Sequence, residues 1–241
     1  MQVKPDITSI ESKKTQVKNM FDSISHKYDF LNHTLSLGID KIWRQKAIDS
    51  IKPINPKLIL DVATGTGDFA IEALKLNPDK VIGIDISEGM LEIGRKKLKE
   101  RKIENIELQK GDSENIEFDS EYFDAVIVAF GVRNFENLNA GLIEMSRVLK
   151  NNGMVAILEF SKPKTWAIKQ FYNFYFKNIL PIVGKIFSKN KFAYKYLPDS
   201  VMNFPEGREF LNIMSNCGYT DCTQRRFMFG ICTLYNGKKL K

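Results

Sequence analysis

The stretch Leu60-Asp61-Val62-Ala63-Thr64-Gly65-Thr66-Gly67-Asp68 decides the fold. An apolar run, Lys57-Leu58-Ile59-Leu60-Asp61, leads into it, and a helical pattern, Phe69-Ala70-Ile71-Glu72-Ala73-Leu74-Lys75, leads out. The order is therefore strand, glycine-rich turn, helix. Glycines let the backbone approach a ligand closely, and the start of a helix offers N–H groups without partners. A second acid, Asp85, closes another apolar run, Val81-Ile82-Gly83-Ile84. A carboxylate at that distance suits the ribose hydroxyls of a nucleoside cofactor.

Gly65-Thr66-Gly67-Asp68-Phe69-Ala70 also fits the dinucleotide fingerprint in its G-x-G-x-x-A form, so NAD is a competing ligand. Asp61 argues against it. It precedes Gly65 by four residues and is expected at the strand tip, facing the ligand. There a carboxylate repels a pyrophosphate but attracts the ammonium and sulfonium of S-adenosylmethionine (SAM). A plain strand-to-helix turn with no ligand is the blander alternative.

A chain of 241 residues with 43% hydrophobic content buries a full core and is expected to form one α/β domain with additions. No apolar run approaches the roughly 18–20 residues needed to cross a bilayer. Met1-Gln2-Val3-Lys4-Pro5-Asp6 lacks the apolar core of a signal peptide, so a cytoplasmic place is expected. Cys217, Cys222 and Cys232 form no C-x-x-C pair and suit a reducing compartment. His26 and His33 stand alone, so no metal is expected.

The net charge of +7 is concentrated. From Ser161 to Pro198 there is no Asp or Glu, but there are eight lysines, interleaved with aromatics such as Trp166, Phe171, Tyr172, Tyr194 and Tyr196. Lysine with aromatic side chains suits an anionic membrane surface or a lipid-like ligand. RNA is a weaker fit, because the stretch carries no Arg for bidentate phosphate contact. A solvated basic face over an ordinary aromatic core is the structural alternative.

Apolar spacing predicts helices over 15–27 and 39–51, with 28–38 too irregular for one element. Strand 58–62, helix 68–76, strand 80–85, helix 87–101 and strand 105–109 follow. Then come strand 123–129, helix 137–149, strand 154–160, helix 206–217, and strands 219–226 and 229–236 around a turn at Met228-Phe229-Gly230. The expected fold is Rossmann-like: a seven-stranded, mostly parallel sheet ending in an antiparallel hairpin. It carries an N-terminal helical extension (1–52), a cofactor-binding core (53–160), a basic aromatic helical insertion after the fifth strand (161–204) and a C-terminal helix and hairpin (205–241). This is the usual plan of SAM-dependent methyltransferases. Ligands on such sheets bind at the C-terminal strand ends, which puts Asp61, Asp85, Asp112 and Ala129-Phe130-Gly131 along one rim.

Four further motifs carry a family resemblance. They are Tyr28-Asp29-Phe30-Leu31-Asn32 with Leu35-Ser36 and Trp43-Arg44; Phe130-Gly131-Val132-Arg133-Asn134; Arg147-Val148-Leu149-Lys150 with Gly153 and Glu159-Phe160-Ser161; and Tyr194-Lys195-Tyr196-Leu197-Pro198-Asp199-Ser200. From about Lys14 to Gly237 the chain resembles the C-methyltransferases that act on demethylmenaquinol and polyprenyl-benzoquinol in menaquinone and ubiquinone biosynthesis. It departs from them at Asp40, where His is common, and at Ala129, where Ser often contacts the cofactor.

The resemblance implies that Gly65, Thr66 and Gly67, with Thr64 beside them, meet the methionine part of SAM. Asp85 would accept from the ribose hydroxyls, and Asp112, with the Ser113 backbone, from the adenine. Arg133 and Asn134 are implied at the acceptor ring, and Tyr28, Asp29, Asn32, His33 and Tyr196 as substrate contacts. The acceptor would be a prenylated naphthoquinol or benzoquinol. Its prenyl chain lies in the membrane, so docking on the inner face of the cytoplasmic membrane is expected. Outside this class stand an NAD(P)-dependent oxidoreductase, a non-catalytic quinone or lipid carrier, and an RNA methyltransferase. The lack of an appended RNA module speaks against nucleic acid.

Overall fold

Residues Leu58–Val62 (β1) and Phe123–Ala129 (β4) are buried nearly throughout, as strands at the centre of a sheet covered on both faces must be. A computed structural model describes residues 3–35, 38–163, 170 and 191–239, with the backbone alone for 27–35 and 191–195. Its sheet also contains β2 (Lys80–Asp85), β3 (Ile106–Lys110), β5 (Leu149–Phe160), β6 (Tyr219–Phe227) and β7 (Cys232–Lys239). The strand order is β3-β2-β1-β4-β5-β7-β6. Strands β1 to β5 pair in parallel, and β7 runs antiparallel to both its neighbours, β5 and β6. This is the expected Rossmann-like plan, with a C-terminal hairpin.

Alternation along the central strands assigns the two faces. Leu60, Val62, Val126 and Val128 meet Leu142 and Met145 of α5 (Leu138–Val148) and Phe210 and Met214 of α7 (Arg208–Asn216). Ile59, Ala125 and Ile127 meet Trp43, Ala47, Ile48 and Ile51 of α2 (Ile39–Ile51). Phe69, Ala70 and Ala73 of α3 (Asp68–Ala73) and Leu91 and Leu98 of α4 (Glu88–Glu100) complete that second layer. Helix α6 (Lys191–Asn203) lies between β5 and α7 in the chain; residues 164–169 and 171–190 lie outside the described residues.

Three expectations are corrected. Residues 28–35 are not irregular: α1 runs unbroken from Lys13 to Leu35. No Gly or Pro interrupts it, and Gly38 takes left-handed backbone just before α2. Strand β5 begins at Leu149, not at 154, because Leu149 pairs with Phe123 across a register shift. Gly153 fits that irregularity because a side chain there would meet the Lys150 and Asp124 carbonyls at 2.8 and 2.9 Å. Strand β7 begins at Cys232, not at 229, because Met228–Gly230 is taken up by a 3-10 turn.

Candidate functional site

The C-terminal ends of β1, β2 and β4, and the loop after β3, surround an open cavity of about 650 Å³. Its wall includes Ala63, Gly65, Asp85, Met90, Gly111, Asp112, Ser113, Ala129, Phe130, Gly131 and Asn134, and its roof is Lys14, Val17 and Phe21 of α1. Two non-glycine residues on this wall hold left-handed backbone: Ala63 (φ 53°), just past β1, and Phe130 (φ 59°), just past β4. Strain of that kind collects at ligand sites.

Asp85 ends β2 at the cavity wall. Its two oxygens accept from the N–H groups of Gly65 and Ser87, both at 2.8 Å. Withdrawal from water pushes its carboxyl up to about 6, against the lowering effect of those two bonds. Gly65 takes φ +58°, which lets its N–H turn to Asp85 while its open side faces the cavity.

Asp112 follows β3. Its Oδ1 accepts from Glu114 N–H at 2.9 Å, and its Oδ2 pairs with Lys14 Nζ at 2.7 Å. Lys14 also reaches Glu114 at 3.2 Å. Helix α1 is therefore fastened over the site by charge, and Lys13 and Asp22 tie it further. Lys13 Nζ, buried, donates to the carbonyls of Arg133 (2.9 Å) and Phe135 (2.7 Å). That burial, with Arg133 nearby, pushes the amine down to about 8. Asp22 accepts from Ser87 Oγ at 2.6 Å and from Gly89 N–H at 3.1 Å, at the start of α4.

Asp61 lies outside the cavity lining, and so do Thr64 and Gly67. It was expected to face the ligand, but its carboxyl is buried and turned to Thr64, whose hydroxyl donates to Oδ2 at 2.6 Å. Burial raises the Asp61 carboxyl to about 7, although Thr64 and the Arg44 cation pull it down. Arg44 is itself paired with Asp40, the residue that departs from the family habit.

Arg133 and Asn134 occupy a 3-10 turn after β4. The Arg133 guanidinium is bound to Glu159 of β5 at 2.7 Å and to the Phe130 carbonyl, and lies 5.4 Å from the centre of the Phe160 ring. Phe160 stacks on Phe130 at 4.4 Å, with Trp43 edge-on to both. Tyr196 of α6 is buried against Val17 and Met20 of α1. The side chains of Tyr28, Asp29, Asn32 and His33 are outside the described residues.

Buried side-chain polar atoms without partners are rare, and each asks for an explanation. Among the described residues they are Arg44 Nε, Asp61 Oδ1, Arg133 Nε, Asn134 Oδ1 and Tyr196 Oη. They fall into two groups. Arg44 and Asp61 interact electrostatically beside the β1 turn, and Arg133 and Tyr196 do so beside Asn134. The first group can meet an ammonium and a carboxylate, and the second can meet an oxygen-bearing ring. Of these five residues Asn134 alone lines the cavity.

Lys13, Lys14, Asp22 and Glu159 were not recognised as site residues in the sequence. One signal was available for Glu159: it is a lone acid inside the apolar run Met154–Phe160. The others face the site only because α1 crosses it.

A sequence profile of the ubiE/COQ5 methyltransferase family matches residues 9–239. A demethylmenaquinone methyltransferase of Bacteroides fragilis is 49% identical over 229 residues, covering 94% of either chain. The ubiquinone/menaquinone biosynthesis C-methyltransferase UbiE of Geobacter sulfurreducens is 43% identical over 233 residues, 95% of this chain and 91% of that one. Among solved structures, a SAM-dependent methyltransferase from Thermotoga maritima shares the fold with a TM-score of 0.65 at 18% identity, covering 92% of this chain and 99% of that one. The profile spans nearly the whole chain, and by this match and these identities the chain belongs to the ubiE/COQ5 methyltransferase family.

Proposed function

We propose that this enzyme transfers a methyl group from SAM to a ring carbon of a prenylated quinol, converting demethylmenaquinol to menaquinol in the last step of menaquinone biosynthesis. The observation that supports the reading is the group of partnerless buried atoms Arg133 Nε, Asn134 Oδ1 and Tyr196 Oη, of which Asn134 lines the cavity and Arg133 is its chain neighbour. They supply donors and an acceptor for the oxygens of a hydroxylated ring. The names of the relatives at 49% and 42% identity, demethylmenaquinone methyltransferases of Bacteroides fragilis and Porphyromonas gingivalis, favour the naphthoquinol. The alternative acceptor, 2-methoxy-6-polyprenyl-1,4-benzoquinol, is favoured by the relatives named for both quinone pathways.

SAM, when bound, supplies a methyl group already activated by a positive sulfur. Asp85 is suited to accept from the ribose hydroxyls, and Asp112 with the Ser113 backbone from the adenine. The ring carbon becomes a better nucleophile as its neighbouring hydroxyl loses its proton, which in a free phenol requires a pH near ~10. Arg133 favours that loss by donating its Nε–H to the developing phenolate, and Asn134 orients the oxygen. Glu159 holds the guanidinium in place and offsets its charge, so the stabilisation comes from a directed hydrogen bond more than from a free cation. Tyr196 serves as a donor, since burial raises its hydroxyl further from ionisation.

Among the described residues no helix is long and apolar enough to cross a membrane. Reaching a prenylated ring held in a bilayer calls for docking on its surface, for which the lysines and aromatics of 161–198 are suited. The deciding experiment is incubation with methyl-labelled SAM and each acceptor, kept reduced. Label is expected in menaquinol. Label only in the benzoquinol product selects the alternative, and label in neither overturns the reading.

A further inference from the structure

We infer that the tip of the β6–β7 hairpin is a membrane-insertion element, with Met228 and Phe229 entering the lipid interface and Arg225, Arg226 and Lys162 meeting anionic headgroups. The inference rests on the proposed prenylated, bilayer-held substrate, and it assigns the contact to a part of the chain that the quinol chemistry does not use.

Phe229 is 70% exposed and Met228 is 43% exposed. Both adopt left-handed backbone, at φ 56° and 46°, where Gly or Asn is the unstrained choice. Two large apolar side chains are thus held out to solvent in consecutive strained positions. Neither burial nor turn geometry accounts for them, and strain of this kind is a pointer to function.

The position of the tip supports a membrane partner. Cys232, which opens β7, pairs with Phe160, the last residue of β5, and with Phe227, the last of β6. The turn therefore projects from the same edge of the sheet as the cofactor cavity. It is tied to the start of the basic aromatic insertion: Ser161 N–H donates to the Ile231 carbonyl at 2.9 Å, and Ser161 Oγ to that of Gly230 at 2.8 Å. Met202 of α6, 51% exposed, lies beside it, with its carbonyl 3.2 Å from Lys162 Nζ.

The charge around the tip matches an anionic surface. Arg225 is exposed and sits 5.5 Å from the centre of the Phe227 ring, and Arg226 is half-buried next to it. Glu206 adjoins the patch but is engaged by Lys162 N–H at 2.7 Å. Apolar tips ringed by Arg and Lys suit the headgroup region of an anionic bilayer.

The test uses the full chain and vesicles of equal phosphatidylglycerol and phosphatidylcholine, with pure phosphatidylcholine as comparison. Phe229→Gly removes the ring and relieves the left-handed strain, so its thermal midpoint should equal or exceed that of the parent. Its partition onto mixed vesicles should fall about tenfold. Arg225→Gln with Arg226→Gln should weaken binding to mixed vesicles and leave binding to neutral ones unchanged. Fluorescence of Phe229→Trp should be quenched by brominated lipid beyond the quenching of the parent. Parent-like vesicle binding by Phe229→Gly, or no added quenching in Phe229→Trp, overturns the inference. Loss of a dimer in Phe229→Gly with vesicle binding intact also overturns it, and assigns the tip to a second copy. Methyl transfer to a dispersed single-prenyl quinol reads the proposed chemistry separately. It should be the same in the parent and Phe229→Gly, and its absence from the parent counts against the chemistry alone.

Discussion

Glu159 and Arg133 form an ion pair closed to solvent on both sides, with side chains 0% and 6% exposed and 2.7 Å between Oε1 and Nη1. The Arg133 N–H adds a second bond to Oε2 at 3.2 Å, so one carboxylate holds both the side chain and the backbone of the turn after β4. Breaking a buried pair leaves a charge without compensation. Glu159→Ala and Arg133→Ala should each lose about 3–5 kcal/mol of stability. Replacing both with Leu should cost less than the sum of the single changes, as urea unfolding of the four proteins will show. Glu159→Gln, which keeps the shape, should retain SAM affinity and lower kcat. An unchanged kcat would separate the pair from the chemistry.

Asp85 suits the ribose hydroxyls as a carboxylate, not as an acid. With its carboxyl raised to about 6, SAM affinity should fall as pH drops through 6. Below that point the loss should approach about tenfold per pH unit. Asp85→Asn should bind roughly 10- to 100-fold more weakly at pH 7.5, consistent with about 1.5–3 kcal/mol for a charged hydrogen bond, and should lose the pH dependence. Calorimetric titration across pH 5–8 checks both.

Asp61 and Asp85 also make the stability of the ligand-free fold depend on pH. Their folded values, about 7 for Asp61 and about 6 for Asp85, stand above the unfolded value of roughly 4. Between these limits the folded state holds more protons than the unfolded state. The contribution of these groups is therefore fully present below pH ~4 and is lost as pH rises through 6 to 7. Asp22, Asp124 and Glu144, whose carboxyls are lowered, act in the opposite sense, but only at more acidic pH. The thermal midpoint of Asp61→Asn should vary less between pH 5 and 7.5 than that of the parent. Equal slopes would remove Asp61 from this linkage.

Gly83 in β2 has no room for a methyl group. A Cβ there would stand 2.6 Å from Leu108 Cδ2 and 2.7 Å from Thr64 Oγ1. Gly83→Ala must displace Thr64 and with it the bond to Asp61. A stability loss of about 1–3 kcal/mol is expected. Weaker SAM binding should accompany it, because the turn that carries Gly65 begins at Thr64.

The apolar runs of β1, β2 and β4 placed these strands at their observed bounds, because a central parallel strand is buried on both faces and reads as an unbroken apolar segment. Asp85 and Ala129-Phe130-Gly131 could be placed on one rim for the same reason, since they close or follow such runs, and Asp112 joins them at the end of the next strand. What could not be read was tertiary in origin. Asp61 sits near the same end of β1, yet its carboxyl is held by Thr64 and lies outside the cavity lining. Lys13 and Lys14 look like ordinary solvated lysines until α1 is laid across the sheet edge. The continuation of α1 through residues 28–35 escaped notice because that segment has no clear apolar period, while the absence of Gly or Pro was enough to keep it helical.

The place of β7 between β5 and β6 has a consequence for how the chain folds as it is made. A growing polypeptide can pair β1 through β5 as each emerges, and with them can shape the cofactor half. Strand β6 emerges next and finds no neighbour, because the strand that joins it to the sheet comes after it. Until then the open side of β5 is an unpaired edge, which invites misassociation. Completion of the sheet, and of the rim from which Phe229 projects, therefore waits on residues 232–239, and a truncation before Cys232 would leave the cofactor half with nothing to close it.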